Sequence, residues 1–554
     1  MKSIEAPIRW NLNNIYNEKK SIENQLDTIK KTLHELESID VLLEEKIELS
    51  ALSEVIKDIE TAESFYYCLT SEEINSSSLA TLGLTITSLK SRIRIIVAKL
   101  DQKDNFSGES DKTRVSSFAR ETLKGYEDIY TQVRQNIRIK VSFQGEETEV
   151  TLGEAITIAM KHEDVVTRKK AFEALNNSLK KQSNIFSSIY NQIIGVRLNL
   201  YKEENKKDYL EESLTMNGIS DETLQTMWDV VDDNLPKLTK FLEAKAKDSN
   251  KGEISWHELM SSSQDVPYFI NFPTAINGLV KTLEKLDKSM ADFVINAVTT
   301  GWVDAEQRSS KDSGGFCVPF IREGESRISL NYDNCIDSAR ILAHELGHAW
   351  HYKQIKVVST LQFLEDRFEM TTAETASIFF ETAFINNIIQ ETKDSTLKKS
   401  IIGWKIERSL NYLMGIRGAY LFEKQVYEKR LTGPLTADEL EEISLQSQQE
   451  AYGNSLSNYD SFIWIKYVQF YLTDNPFYNY PYSFGFLFSN GLLDSSEKES
   501  EHFSQKFKSF LSQTGITPIE QLTKQYFNID LTSPEFWQQS MQRILNDVEL
   551  YLEL

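Results

Sequence analysis

The stretch ILAHELGHAWHYKQ, residues 341–354, contains three of the seven histidines in this chain of 554 residues. His344 and His348 are four positions apart, so on a helix their rings project from one face about one turn apart and can bind one metal ion. Glu345 follows the first histidine, close to the coordination position that the two imidazoles leave open. The spacing His-Glu-x-x-His therefore predicts a helix with a zinc site, where Glu345 takes the proton of a zinc-activated water.

The same tripeptide His-Glu-Leu occurs at two other places in the chain, which serve as internal controls. It begins at His34 and at His257, and the residues four positions later are Ser38 and Ser261. A serine cannot replace the second imidazole of the metal pair. We therefore predict that His34 and His257 are ordinary surface or core histidines.

A catalytic zinc ion needs a third protein ligand and one open position. The segment MTTAETASIFFETAF, residues 370–384, offers Glu374 and Glu381, which are two helical turns apart and share one face. Two plainer interpretations stay open: Thr371-x-x-Glu374 matches a capping box, and Glu381 suits a solvated helix face. A structural zinc would need a fourth ligand, for which Cys317 and Cys335 are the nearest thiols.

The distribution of proline predicts a mainly α-helical fold. The chain has ten prolines, and none lies between Pro7 and Pro236. Helix interiors exclude proline, whereas turn-rich sheets use it often, so this tract favours long helices. A small β element is predicted where Ile137, Ile139, Val141 and Phe143 alternate before a turn at 144–145. Polar stretches at 101–114 and 247–267 are predicted to be loops.

Charge and cysteine content indicate which partners and which cellular location to expect. The formal net charge of −22 argues against nucleic acid as a partner, because phosphates would be repelled. Three scattered cysteines do not make a disulfide framework, the opening residues lack a secretory pattern, and no apolar run approaches the length of a membrane span. We expect a soluble cytoplasmic protein with no membrane partner.

Several motifs together resemble the oligoendopeptidase F branch of the thimet oligopeptidase family, whose members are zinc endopeptidases that cut short peptides. They are HELGHAWH, the following AETASIFFE and the tyrosine-rich FYNYPYSFGFLFS, with looser likeness in RWNLNNIY and GGFC. The resemblance runs through most of the chain and is densest from 312 to 491. It implies a mainly α fold with a zincin-type helix and a very small β element, in which two helical halves enclose a deep active-site channel.

The resemblance also implies roles for the residues near the predicted zinc. His344, His348 and Glu374 match the three ligands of a single ion, and Glu345 matches the catalytic base. Glu381 matches a carboxylate that orients a ligand histidine.

Other positions match catalytic side chains outside the ligand set. His351 matches a histidine one turn past the second ligand, although it also suits a packed polar residue of the same helix. Tyr478, Tyr480 and Tyr482 match the tyrosine segment, and at least one of their hydroxyls is expected to stabilise the oxyanion. The alternative interpretation is that these tyrosines only pack a turn near Pro481.

We predict a zinc oligoendopeptidase that hydrolyses short peptides, with an N-terminal helical region at 1–190 and a catalytic region at 191–554. An extended substrate is expected to pair with the edge of a strand near 327–332. One alternative is a helical zinc carboxypeptidase with the same metal motif. Another is a peptide-binding protein with little turnover, because Gln469 stands where family members often carry a histidine.

Overall fold

The computed structural model describes the whole chain except residues 1–3, 5, 17–18, 39–48, 73–76, 105–109, 144–145, 262–265, 312–313, 356–368 and 499. Its regular structure is almost entirely helical, with two small sheets. The mainly α fold predicted from the distribution of proline is therefore confirmed. Within the described residues, no helix combines the length and the apolarity that crossing a bilayer requires.

Contacts between Cα atoms group the chain into two units, each made of three segments. The first unit comprises Met1–Gly108, Pro267–Lys393 and Phe488–Asp530. Its elements within the described residues are α1 (Lys19–Ser38), α2 (Leu49–Glu72), α3 (Ser77–Asp104), α10 (Phe272–Leu286), α11 (Lys288–Thr299), β3 (Val303–Asp304), β4 (Gly315–Phe320), β5 (Glu325–Leu330), α12 (Ile336–Gln354), α13 (Met370–Ala373), α14 (Thr375–Glu391), the part of α19 (Tyr480–Lys498) from Phe488 onwards, α20 (Ser500–Leu511) and α21 (Ile519–Phe527).

The sheet of the first unit has the strand order β3–β5–β4, with β3 parallel and β4 antiparallel to β5. The predicted strand near 327–332 is β5, which ends at Leu330 and lies in the centre of the sheet. The prediction that this strand offers an unpaired edge to a peptide is wrong, because β3 pairs with it at Ile328 and Ser329 while β4 pairs along its length. The sequence did not reveal β3, which spans only two residues.

The two faces of strand β4 contact different parts of the first unit. Phe316, Val318 and Phe320 pack against the apolar core formed by α1, α2 and α3. Because side chains alternate along a strand, Gly315 and Cys317 lie on the opposite face, and Gly315 lies against α12. The sheet therefore separates the helical core from the helix that carries the histidines.

The second unit comprises Glu109–Val266, Asp394–Leu487 and Leu531–Leu554. Its described elements are α4 (Ser110–Gln135), β1 (Arg138–Phe143), β2 (Glu146–Thr151), α5 (Leu152–Lys161), α6 (Val165–Glu203), α7 (Glu211–Met216), α8 (Asp221–Asp248), α9 (Trp256–Ser261), α15 (Ser395–Leu410), a π-helical turn (Asn411–Gly415), α16 (Ile416–Arg430), α17 (Ala437–Ala451), α18 (Ile463–Lys466), a 3₁₀ turn (Val468–Tyr471), the start of α19 and α22 (Pro534–Glu553).

The predicted hairpin is confirmed as β1 and β2, an antiparallel pair, while its turn at 144–145 lies outside the described residues. Both loop predictions are partly wrong. Helices α3 and α4 extend into the ends of 101–114, and α9 interrupts 247–267. The boundary at residue 190 stays a prediction, and the continuous helix α6 runs through that position.

Candidate metal centre

Helix α12 starts directly after the sheet, and the residues before its first turn fix its orientation. Asn334 has a left-handed backbone with φ of 62°, a conformation that asparagine tolerates. The Cys335 sulfur occupies the N-cap position and accepts a hydrogen bond from the Ser338 amide at 3.4 Å. This defined start sets which residues of α12 face its neighbours.

The two histidines of the predicted motif meet on one face of α12. The Nε2 atoms of His344 and His348 are 3.2 Å apart, and the two rings stand nearly perpendicular at 83°. Each of the two histidine side chains is 18% exposed, so both imidazoles are half-buried. The helical spacing of four residues therefore brings two imidazole nitrogens to a common point.

Glu374 lies between the short helix α13 and helix α14, and its side chain turns towards the histidines. Its backbone has φ of −88° and ψ of 0°, a sparsely populated region in which many active-site residues are found. Glu374 Oε2 is 3.2 Å from His344 Nε2 and 3.4 Å from His348 Nε2. The capping-box alternative is wrong, since α13 begins after Glu369 and has no side-chain cap.

The three ligand atoms form a nearly equilateral triangle that fits a tetrahedral metal ion. Zinc lies about 2.0–2.1 Å from each nitrogen or oxygen ligand, which places neighbouring ligand atoms about 3.3 Å apart. The sides of the observed triangle are 3.2, 3.2 and 3.4 Å. Among the described residues, this is the one group of histidine, cysteine and acidic side chains that meets the spacing of a metal site. Two imidazoles and one carboxylate are also a donor set that zinc accepts.

Gly347 brings the two ligand-bearing helices together. A Cβ atom added at this position would lie 2.5 Å from the carbonyl oxygen of Ala376 and 2.5 Å from Ser377 Cα. Real Cβ atoms do not come so close to backbone atoms, so any larger residue would force α12 and α14 apart. The glycine of the motif is therefore required by the crossing that brings Glu374 to the histidines.

The electrostatics of the cluster favour a positive charge at its centre. Burial lowers the pKa of His344, but the carboxylates of Glu374 and Glu381 outweigh burial and raise that pKa to about 10. Burial raises the pKa of Glu374, yet the two histidines hold it well below its usual range. The three groups therefore attract cations, as a metal site requires.

Glu345 is 6% exposed and lies on the side of α12 that faces strand β4. A Cβ atom added at Gly315 would be 3.0 Å from Glu345 Cγ and 3.1 Å from Oε1, so this glycine leaves the room that the carboxylate occupies. Burial raises the pKa of Glu345, against the opposing effect of the neighbouring histidines. A raised pKa suits a carboxylate that accepts and later returns a proton.

Glu381 extends from α14 to the far side of His344, as the resemblance implied. Its Oε2 atom is 3.0 Å from His344 Nδ1, the nitrogen that does not face the other ligands. The same oxygen accepts a hydrogen bond from Arg340 Nη1 at 2.7 Å. Arg340 was not among the residues predicted from the sequence. Its one signal was its position four residues before His344, which places both on the same face of α12.

His351 lies one turn beyond His348 but faces the protein interior. It is 4% exposed, and its Nε2 is 2.8 Å from Thr514 Oγ1. Burial and the proximity of His348 lower the pKa of His351 to about 3, so its imidazole is neutral. These contacts favour the packing alternative over the predicted catalytic role.

The three tyrosines of the second unit have different environments. Tyr478 and Tyr482 are half-buried, and their hydroxyl oxygens are 2.7 Å apart. Tyr480 is 1% exposed, and its hydroxyl accepts hydrogen bonds from Ser213 at 3.2 Å and Asn217 at 3.3 Å. Burial among these partners argues against the predicted oxyanion role of Tyr480.

Phe477, immediately before this tyrosine pair, has a strained backbone. Its φ of 55° is unusual for a bulky residue, and its amide donates a hydrogen bond to Glu423 Oε1 at 3.1 Å. Glu423 is 3% exposed, and burial raises its pKa to about 7 against the opposing effects of the Phe477 amide and Arg197. The buried carboxylate therefore holds the turn that leads into Tyr478.

Comparisons with known proteins identify a family whose model covers most of the chain. The family model described as peptidase family M3 matches residues 158–543. Among curated proteins, the group B oligopeptidase PepB of Streptococcus agalactiae serotype III (strain NEM316) is 20% identical over 409 residues. This alignment covers 71% of the chain and 65% of PepB, so the chain spans slightly less than two thirds of that relative.

Solved structures share the fold over nearly the whole chain. A structure from Chlamydophila abortus superposes with a TM-score of 0.79 at 18% identity, covering 99% of this chain and 98% of that one. Oligoendopeptidase-F from Enterococcus faecium superposes with a TM-score of 0.67 at 16% identity, covering 96% and 99%. At these identities the likeness establishes the fold alone.

Proposed function

Because this chain belongs to peptidase family M3, we propose that it is a zinc-dependent oligoendopeptidase that hydrolyses short peptides. The observation that carries the proposal is the triangle of His344, His348 and Glu374 with the Glu345 carboxylate beside it. A site that only stabilises the fold would close its fourth position with a protein ligand. Here the described residues supply three ligands and a neighbouring base, which suits hydrolysis.

Each residue of the centre has a defined task in this proposal. His344, His348 and Glu374 would hold the ion, which would supply Lewis-acid activation of the attacking water and the peptide carbonyl. Glu345 takes the proton from the water and returns it to the departing amine. Glu381 accepts a hydrogen bond from the Nδ1–H of His344, which leaves Nε2 unprotonated and free to act as a ligand.

The remaining finer assignments belong to the same proposal. In this proposal Tyr478 and Tyr482 are the donors that stabilise the oxyanion of the substrate, whereas Tyr480 and His351 have structural roles, through their hydrogen bonds to Ser213, Asn217 and Thr514. The proposal includes a cytoplasmic location, consistent with three free cysteines. Zinc is preferred to other divalent ions because its usual ligands match the donor set.

The decisive experiment uses a short quenched-fluorescence peptide with both ends blocked. We expect the wild-type protein to cleave it, a chelator to stop cleavage and added zinc to restore it. Glu345→Gln should lower kcat by about 10²–10⁴-fold because the amide cannot accept the proton, while zinc binding persists.

The alternatives give different results in the same assay. A carboxypeptidase would leave the blocked peptide intact but shorten one with a free C-terminus. A peptide-binding protein would show no difference between wild type and Glu345→Gln. Either result would overturn the proposed endopeptidase activity.

A further inference from the structure

Arg340 occupies a position in the metal centre that neither the motif nor the family resemblance identified. It lies one turn before His344 on α12, with its side chain 12% exposed. Arg340 Nη1 donates to Glu381 Oε2 at 2.7 Å, and Arg340 Nε donates to Asp337 Oδ1 at 2.8 Å. The guanidinium group is thus held at both ends by carboxylates.

The contact with Glu381 is informative because two donors share one oxygen. Glu381 Oε2 accepts from Arg340 and is also the atom 3.0 Å from His344 Nδ1. The terminal torsion of a glutamate is broad, so this carboxylate can rotate if nothing holds it. The hydrogen bond from Arg340 Nη1 restrains that rotation and keeps one oxygen directed at the imidazole.

We propose that Arg340 is a positioning residue of the metal centre, which acts through Glu381 to fix the ring orientation of His344. The inference deepens the proposed function and rests on it. A fixed Glu381 oxygen keeps the Nδ1 proton of His344 in place, so Nε2 presents its lone pair towards His348 and Glu374. Loss of Arg340 leaves Glu381 buried without its charge-assisted bond, and the imidazole loses its support.

A merely structural ion pair between α12 and α14 is the competing interpretation, and a matched control separates the two. Arg308 lies in the same unit, is 16% exposed and also binds two carboxylates, those of Asp304 and Glu306. It contributes no atom to the metal cluster. Arg308→Gln therefore removes a comparable buried ion pair without touching the support of His344.

The experiment measures the zinc affinity of the purified full-length protein by competition with a chromophoric chelator. We expect Arg340→Gln to weaken zinc binding by about 10–100-fold, the usual effect of losing an outer partner of a ligand histidine. Arg308→Gln should stay within about twofold of wild type, even though urea unfolding reports a similar loss of stability in both variants. Arg340→Lys keeps the positive charge but not the planar guanidinium group, so its zinc affinity should lie between those of wild type and Arg340→Gln.

A double-mutant cycle tests whether Arg340 acts through Glu381. If it does, the variant carrying both Arg340→Gln and Glu381→Gln binds zinc about as weakly as Glu381→Gln alone. With Co²⁺ in place of zinc, the visible absorption of Arg340→Gln should also differ from that of wild type, because the spectrum reports the arrangement of the ligands.

The results distinguish failure of this inference from failure of the proposed function. Wild-type affinity in Arg340→Gln and Arg340→Lys, or strict additivity in the cycle, overturns the role of Arg340 alone. A wild-type protein that binds neither zinc nor Co²⁺ overturns both proposals. A wild-type protein that binds zinc but cleaves no peptide overturns the proposed peptidase, while the zinc affinities of the variants still decide the role of Arg340.

Discussion

The metal cluster of the first unit and the tyrosine turn of the second contain carboxylates whose pKa values shift in opposite directions. Glu374 has its pKa lowered by the histidines beside it, whereas Glu423 has its pKa raised by burial. The first carboxylate is stabilised as an anion by the two imidazoles that face it. The second holds a strained residue, Phe477, through one backbone hydrogen bond. A functional geometry can therefore be held either by polar partners around a carboxylate or by restraint of a locally unfavourable backbone.

The helix crossing at the metal cluster gives the largest expected effect. Gly347→Ala places a Cβ atom 2.5 Å from two backbone atoms of α14, so the helices must separate. We expect hydrolysis to fall below detection and zinc affinity to drop by more than about 100-fold, because a shift of about 1 Å is enough to misplace catalytic groups. Chelator competition and peptide cleavage measure both effects.

The matched control for Gly347 is Gly418, which lies in helix α16 of the second unit. A Cβ atom there would be 3.5 Å from Ala451 Cβ and 3.6 Å from Gln448 Cα, ordinary contact distances. Gly418→Ala should leave catalysis unchanged and raise stability by up to about 1 kcal/mol, because alanine favours the helix. Equal tolerance at both glycines would contradict the role that we assign to the α12–α14 crossing.

The tyrosines are expected to give the next largest effect. If one of their hydroxyls stabilises the oxyanion, Tyr478→Phe or Tyr482→Phe should lower kcat by about 10²–10³-fold with little change in KM. Tyr480→Phe serves as the control, because it removes a buried hydroxyl that is hydrogen-bonded to Ser213 and Asn217 and has no proposed catalytic role. It should cost about 1–3 kcal/mol of stability and leave kcat unchanged. A loss of kcat in Tyr480→Phe alone would reverse our assignment.

Glu423 should give the smallest effect, on the pH dependence of stability. Since the folded protein raises its pKa from an ordinary 4.5 to about 7, the folded state binds this proton more tightly than the unfolded state. The contribution of Glu423 to stability therefore decreases as pH rises between these two values and is constant above the higher one. The total change is at most about 3 kcal/mol.

Glu423→Gln isolates this contribution, because the glutamine side chain can still accept a hydrogen bond from the Phe477 amide but does not titrate. Relative to wild type, the variant should gain stability as pH rises from about 4.5 to about 7. Urea unfolding at several pH values measures the difference. A constant difference across that range would show that the buried carboxylate does not titrate there, and the contrast with Glu374 would be lost.

The sequence predicted the parts of the molecule that follow from helical spacing. The positions of His344, His348 and Glu345 on one helix needed only the period of the α-helix, and the hairpin needed only its alternation. The contact between Tyr478 and Tyr482 does not follow from this rule, because Tyr478 lies in the turn before the helix that begins at Tyr480. The central place of β5 depends on pairing with the distant Val303 and Asp304, which no local pattern encodes.

The contact at Gly347 also bears on how such a centre can be moved between proteins. Where two helices touch through a glycine and a neighbouring backbone, no side-chain rotamer can absorb a change in their separation. A designer who grafts the motif onto another scaffold must therefore copy the distance between the two helix axes together with the ligands. A host bundle with ordinary spacing would carry every coordinating residue and still fail to assemble the triangle.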